Sequence, residues 1–97
     1  MPHYVLLTRW TEQGIRNVKD SLNRAAAGRK EAEKLGCKIE IYWTFGKYDS
    51  VAILEAPDDE TAMQYALKIS SLGSIRIETL RAFTEQETTE IIYKIGE

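Results

Sequence analysis

The chain has one cysteine and one histidine among its 97 residues. A lone cysteine closes no intrachain disulfide, and with a single histidine beside it no transition-metal site is expected. No Walker-type loop, dinucleotide fingerprint, His-Glu-x-x-His run or paired-cysteine motif occurs, so no cofactor is expected either. Charge of one sign is also missing. Thirteen Lys and Arg face 15 Asp and Glu, with no long run of either. Such a balance has nothing to grip a phosphate backbone, which argues against a nucleic-acid partner. The apolar run at residues 4–8 is far too short to span a membrane and lacks the flanks of a signal peptide. No membrane partner is expected, and a cytoplasmic location is the default. Internal repeats, low-complexity tracts and linkers are absent. One domain over residues 1–97, built around one core, is the expectation.

What the chain does have is a hairpin pattern at residues 37–56. Two alternating runs rich in β-branched and aromatic residues flank Gly46-Lys47, and glycine at the first central position suits a two-residue type II′ turn. That loop puts Phe45 opposite Tyr48 and fixes the register. One face then carries Cys37, Ile39, Ile41, Trp43 and Phe45 opposite Ala56, Leu54, Ala52, Ser50 and Tyr48. It is almost wholly apolar and pairs large with small, as a core face should. The other carries Lys38, Glu40, Tyr42 and Thr44 opposite Glu55, Ile53, Val51 and Asp49. Lys38 and Glu55 form a favourable cross-strand pair there.

Before the hairpin, residues 3–10 read as a strand with apolar side chains in both alternate sets, which suits a central position. A helical stripe follows, with Ile15, Val18, Leu22, Ala25, Ala26, Ala32 and Leu35 at steps of three and four. Asp20-Ser21 offers an N-cap at which the helix breaks or restarts, and Gly36 suits the C′ position. After the hairpin, an acidic turn at residues 57–60 opens a second helix with Ala62, Tyr65, Ala66, Ile69 and Leu72 inward, closed by Gly73. Residues 74–83 alternate as a fourth strand. Thr84 and Glu87 have capping-box spacing and start a third helix with Ile91, Ile92 and Ile95. The order β-α-β-β-α-β-α predicts an α+β fold, a ferredoxin-like βαββαβ unit with an extra C-terminal helix. Its antiparallel four-stranded sheet should run 4-1-3-2.

Two helices cover only one side of such a sheet. The uncovered side would carry the hairpin's mixed face, too apolar for open water and too charged for a dry core. That mixture suits sheet-to-sheet packing against a second copy, with a cavity for a small molecule between. The final helix is too short to be stable alone, and a neighbouring subunit is one place for it to dock.

At Gly46-Lys47-Tyr48-Asp49 the chain resembles the GYD domain family, small proteins named for a Gly-Xaa-Tyr-Asp motif. The resemblance extends through Thr11-Glu-Gln-Gly14, Arg16-Asn-Val-Lys-Asp-Ser21, Glu33-Lys-Leu-Gly36, Glu55-Ala-Pro-Asp-Asp59 and Thr79-Leu-Arg-Ala-Phe83. Family members often have a proline after the Asp-Ser pair, where this chain has Leu22. The resemblance implies a ferredoxin-like fold of the dimeric α+β barrel type and says little about activity.

Candidate site residues follow from side-chain chemistry. His3, Asp49 and Glu55 are candidate bases, the imidazole because that side-chain type serves as both acid and base. Glu40, Tyr42, Tyr48, Asp49, Arg16 and Arg81 are candidate ligand contacts. Each has a structural reading beside the functional one. Tyr48 and Asp49 are suited to ending the hairpin, and Arg16 to a local helix ion pair. Arg81 can equally form an intramolecular salt bridge. Cys37 fits a packed core thiol. Two functions are therefore expected to compete. One is a homo-oligomeric module, sensor or accessory, binding a small molecule between facing sheets. The alternative is a cofactor-independent isomerase- or oxygenase-like enzyme.

Overall fold

The alternating apolar segments become strands and the three-to-four-step stripes become helices. The structure, a computed structural model, describes residues 1–96. Strand β1 (His3–Trp10) leads into a short helix α1 (Glu12–Arg16), a 3-10 turn (Val18–Asp20) and α2 (Ser21–Lys34). The hairpin is β2 (Lys38–Trp43) and β3 (Ser50–Glu55), followed by α3 (Asp59–Ser71), β4 (Ile75–Ala82) and α4 (Glu85–Tyr93). Every pairing is antiparallel and the sheet runs β2-β3-β1-β4, the expected order viewed from its other edge.

The hairpin has the expected register over its strands, from Lys38 opposite Glu55 to Trp43 opposite Ser50. Its loop differs. Thr44 N–H still donates to the Asp49 carbonyl at 2.9 Å, but beyond that bond the chain leaves the sheet. Phe45, expected on the core face, is fully exposed because no second layer covers the loop. Gly46 holds a φ of 120°, a conformation that favours glycine.

Helix ends follow local chemistry. Gly36 takes a φ of 74° past the end of α2. There Cys37 N–H bonds the Ala32 carbonyl and Gly36 N–H bonds the Glu33 carbonyl, a Schellman closure. Asp58 caps α3 through Thr61 N–H at 2.8 Å. Thr84 and Glu87 form the reciprocal capping box of α4. These bonds hold the Asp58 and Glu87 carboxyls below their usual range. The expected break at Asp20-Ser21 is present, but Asp20 does not cap α2 through its side chain. Its carboxylate instead accepts from Asn23 Nδ2 at 2.8 Å. Because a 3-10 turn interrupts the helix, the inward stripe does not run through the break. Ile15, Val18 and Leu22 are all exposed, contrary to expectation.

The core lies between the sheet and the α2–α3 layer. It contains Tyr4 and Leu6 of β1, Ala52 and Leu54 of β3, Ala62 and Tyr65 of α3, and Cys37. This settles the orientation of β1: Tyr4, Leu6 and Thr8 face the helices, and Val5, Leu7 and Arg9 face away. Cys37 is the expected core thiol, and burial pushes its pKa up.

Burial also pushes two phenols to about 12, Tyr4 and Tyr65, with the Asp59 carboxylate adding to the shift at Tyr4. The unfolded chain releases these protons near pH 10. The folded state therefore holds them more tightly, and their contribution to stability is full below about pH 10 and lost as pH climbs towards 12. Denaturation midpoints followed against pH, with tyrosinate absorbance recorded alongside, should show that loss between about 10 and 12. Ionisation of both buried phenols near pH 10 in a folded chain would contradict this packing.

Candidate functional site on the open sheet face

Strand pairing arranges the uncovered face in four cross-strand rows. From β2 to β4 the first holds Lys38, Glu55, His3 and Ala82. The second holds Glu40, Ile53, Val5 and Leu80, and the third Tyr42, Val51, Leu7 and Glu78. Arg9 and Arg76 pair in the last row. The aliphatic centre is thus Val5, Leu7, Val51, Ile53 and Leu80, ringed by Lys38, Arg9 and Arg76 together with Glu40, Glu55 and Glu78. Leu80 and Tyr42 are exposed and the other four aliphatics half-buried. A centre of aliphatic side chains inside a charged rim has the anatomy of a protein interface. The hairpin pattern alone specifies Tyr42, Val51 and Ile53. The rest of the centre lies in the alternate sets of β1 and β4, whose outward side is decided by the tertiary packing of β1.

Several candidate residues meet on this face. His3 Nε2 stands 3.6 Å from Glu55 Oε1, while His3 Nδ1 is buried without a partner among the described residues. Tyr42 donates its hydroxyl to Glu40 at 2.9 Å, and that bond raises the phenol pKa. Tyr48 was expected on the core side opposite Phe45. Instead its hydroxyl reaches Glu78 of β4 at 3.1 Å, and the Arg9 guanidinium lies over its ring at 5.0 Å. The loop, free of strand alternation, swings that ring across the outer face.

Other candidates are occupied elsewhere. Asp49 accepts from Trp10 N–H at 2.9 Å, and its own N–H donates to the Thr8 carbonyl at 2.8 Å. Its carboxylate therefore extends the β1–β3 seam past the last paired residues. Arg16 pairs with Glu12 one turn away at 3.0 Å, the local ion pair. Arg81 sits opposite Tyr4, on the helix side of the sheet. Its guanidinium is 3.7 Å from Asp59 and lies over the rings of Tyr4 and Phe83. Asp59 also accepts the Tyr4 hydroxyl, so this is the intramolecular alternative. Among the described residues no group of three or more His, Cys, Asp and Glu is placed to hold a metal ion. No described helix is long and apolar enough to cross a membrane.

Topology and layering define a ferredoxin-like α+β protein. The GYD domain profile matches residues 4–92, and the chain belongs to the GYD domain family. A relative from Thermus thermophilus, described as a glutamine synthetase and cystathionine beta-lyase binding protein, is 30% identical over 84 residues. That match covers 84% of this chain and 88% of the relative. The crystal structure of TTHA0845 from the same organism superposes with a TM-score of 0.58 at 29% identity, covering 87% of this chain and 95% of that one. At3g17210 of Arabidopsis thaliana shares the fold, with a TM-score of 0.53 at 11% identity over 87% of this chain and 97% of that one.

Proposed function

We propose that this chain is a homo-oligomeric accessory module: two copies pair through their open sheet faces, and the assembled module binds other proteins. The carrying observation is the open face itself, an aliphatic centre inside a rim whose charges balance. Lys38, Arg9 and Arg76 offset Glu40, Glu55 and Glu78, so the face suits a neutral partner with the same pattern better than a strongly charged one. A second copy supplies that partner by symmetry. The undocked end of α4 gives further support. Ile91, Ile92, Tyr93 and Ile95 are all exposed there, and a nine-residue helix is marginal unless it packs on something. A second subunit gives those side chains a surface.

The accessory role draws on the Thermus thermophilus relative, whose description names two enzymes that it binds. Immobilised chain should capture purified glutamine synthetase or cystathionine beta-lyase with saturable, stoichiometric binding in an interferometry assay. Absence of binding to both would remove the accessory half of the proposal and leave the pairing intact. The enzyme alternative rests on the His3–Glu55 contact at 3.6 Å, which would supply a base with an orienting carboxylate. That pair lies on the face which a second sheet would cover.

A further inference from the structure

On the other side of the sheet, α2 and α3 leave space between them. The inward face of α2 carries Ser21, Ala25, Gly28 and Ala32 at steps of three and four, and β3 contributes Ala52 beneath. Side chains this short do not fill the gap between helix and sheet. They leave a cavity of about 270 Å³, floored by Leu6, Ile39, Ile41 and Ile77. An apolar cavity of about 150 Å³ already accommodates benzene. This one has room for a two-ring aromatic or a branched chain of similar bulk. Left unfilled, such a volume lowers stability in proportion to its size, and small domains have little stability in reserve.

The polar groups on the lining indicate what an occupant carries. Arg24 of α2 and Lys68 of α3 both border the cavity. Neither is paired with a carboxylate among the described residues. Among the described residues Arg24 donates only to backbone carbonyls, Asn17 at 2.8 Å and Gly14 at 3.4 Å. The acidic group on the lining, Glu31, has Lys34 at 4.0 Å. Among the described residues the cationic side of the cavity therefore lacks an anion. Tyr65 remains a neutral phenol at physiological pH, its hydroxyl donated to the Gly28 carbonyl at 3.1 Å. The Trp43 indole N–H bonds Ser21 Oγ at 2.9 Å and ties the end of β2 to the start of α2 beside the cavity.

We infer that this cavity is a binding site for a small apolar carboxylic acid. Its ring or branched chain fills the space over Leu6 and Ala52, and its carboxylate is compensated by Arg24 and Lys68. The site lies on the opposite side of the sheet from the proposed pairing surface and stands independently of it.

Calorimetric titration with 1-naphthaleneacetate, using 1-naphthaleneacetamide as the uncharged counterpart, tests the inference. The wild-type chain should bind the acid saturably at one site per chain, at least about tenfold more tightly than the amide, since a charge-assisted contact contributes more than a neutral one. The double variant Arg24→Gln with Lys68→Gln should bind acid and amide alike. Ala25→Leu fills part of the cavity and should abolish binding while keeping or raising the melting temperature. Ile53→Lys, on the far face, should bind as the wild type does. Absence of saturable binding of the acid, or undiminished binding by a folded Ala25→Leu variant, would overturn the site. Equal affinity of the wild type for acid and amide would overturn the carboxylate assignment.

Discussion

Gly14→Ala should lower stability by about 3–5 kcal/mol, enough to place the variant near the edge of folding. A β-carbon at Gly14 would lie 1.9 Å from the Ser74 carbonyl oxygen, a backbone atom that no rotamer change can move aside. Relief requires α1 to lift from the start of β4. That movement breaks the bond from Thr11 N–H to Ser74 O at 3.1 Å and the bond from the Thr11 hydroxyl to Gly73 O at 2.5 Å. Overpacking of this kind typically costs about 1–3 kcal/mol, and each lost hydrogen bond about 1 more. For a chain of this length the thermal midpoint should fall by more than about 12 °C, read by circular dichroism. Gly46→Ala is the contrasting control: a β-carbon there meets nothing within 4 Å, so only the backbone conformation is penalised.

Ile53→Lys should weaken self-association by more than about 100-fold while leaving the single subunit folded. Ile53 lies in the aliphatic centre of the open face and is paired across the sheet with Glu40. In an isolated subunit the new ammonium has a carboxylate neighbour and water, so the local cost is small. Between two packed sheets it must be desolvated along with its symmetry mate. Several kcal/mol per buried charge exceeds the roughly 2.7 kcal/mol that corresponds to a factor of 100. Thermal scans at low concentration would check the fold of the variant, and sedimentation velocity its association.

How well the sequence specified each element depended on how locally that element was determined. The hairpin register followed from Gly46 and from strict alternation on both sides, because a shift of one residue would have turned Leu54 and Ile41 outward. The α4 capping box and the Gly36 closure were equally plain, since each is decided by residues within one turn. Phe45 and Tyr48 depart from the expected core face because alternation ends where pairing ends. Beyond Thr44, contact with Glu78 and Arg9 decides where Tyr48 goes, and both are distant in the chain. Leu22 points outward for a related reason: a period counted across the 3-10 turn loses its phase. The orientation of β1 depended on tertiary packing because both of its sides are apolar. The sub-helical cavity did leave a trace in the spaced run Ser21, Ala25, Gly28 and Ala32, small residues on the inward face of α2 where a filled core would need larger ones. Read as a helical stripe, that run signals burial and says nothing of volume.

The pairing of open sheet faces is tested most directly by static light scattering on the wild-type chain across a dilution series, with Ile53→Lys beside it. The expected result is twice the single-chain mass for the wild type at micromolar concentration, and the single-chain mass for the variant. A wild-type chain that stays at the single-chain mass throughout, or a folded variant that associates as strongly as the wild type, would contradict the account.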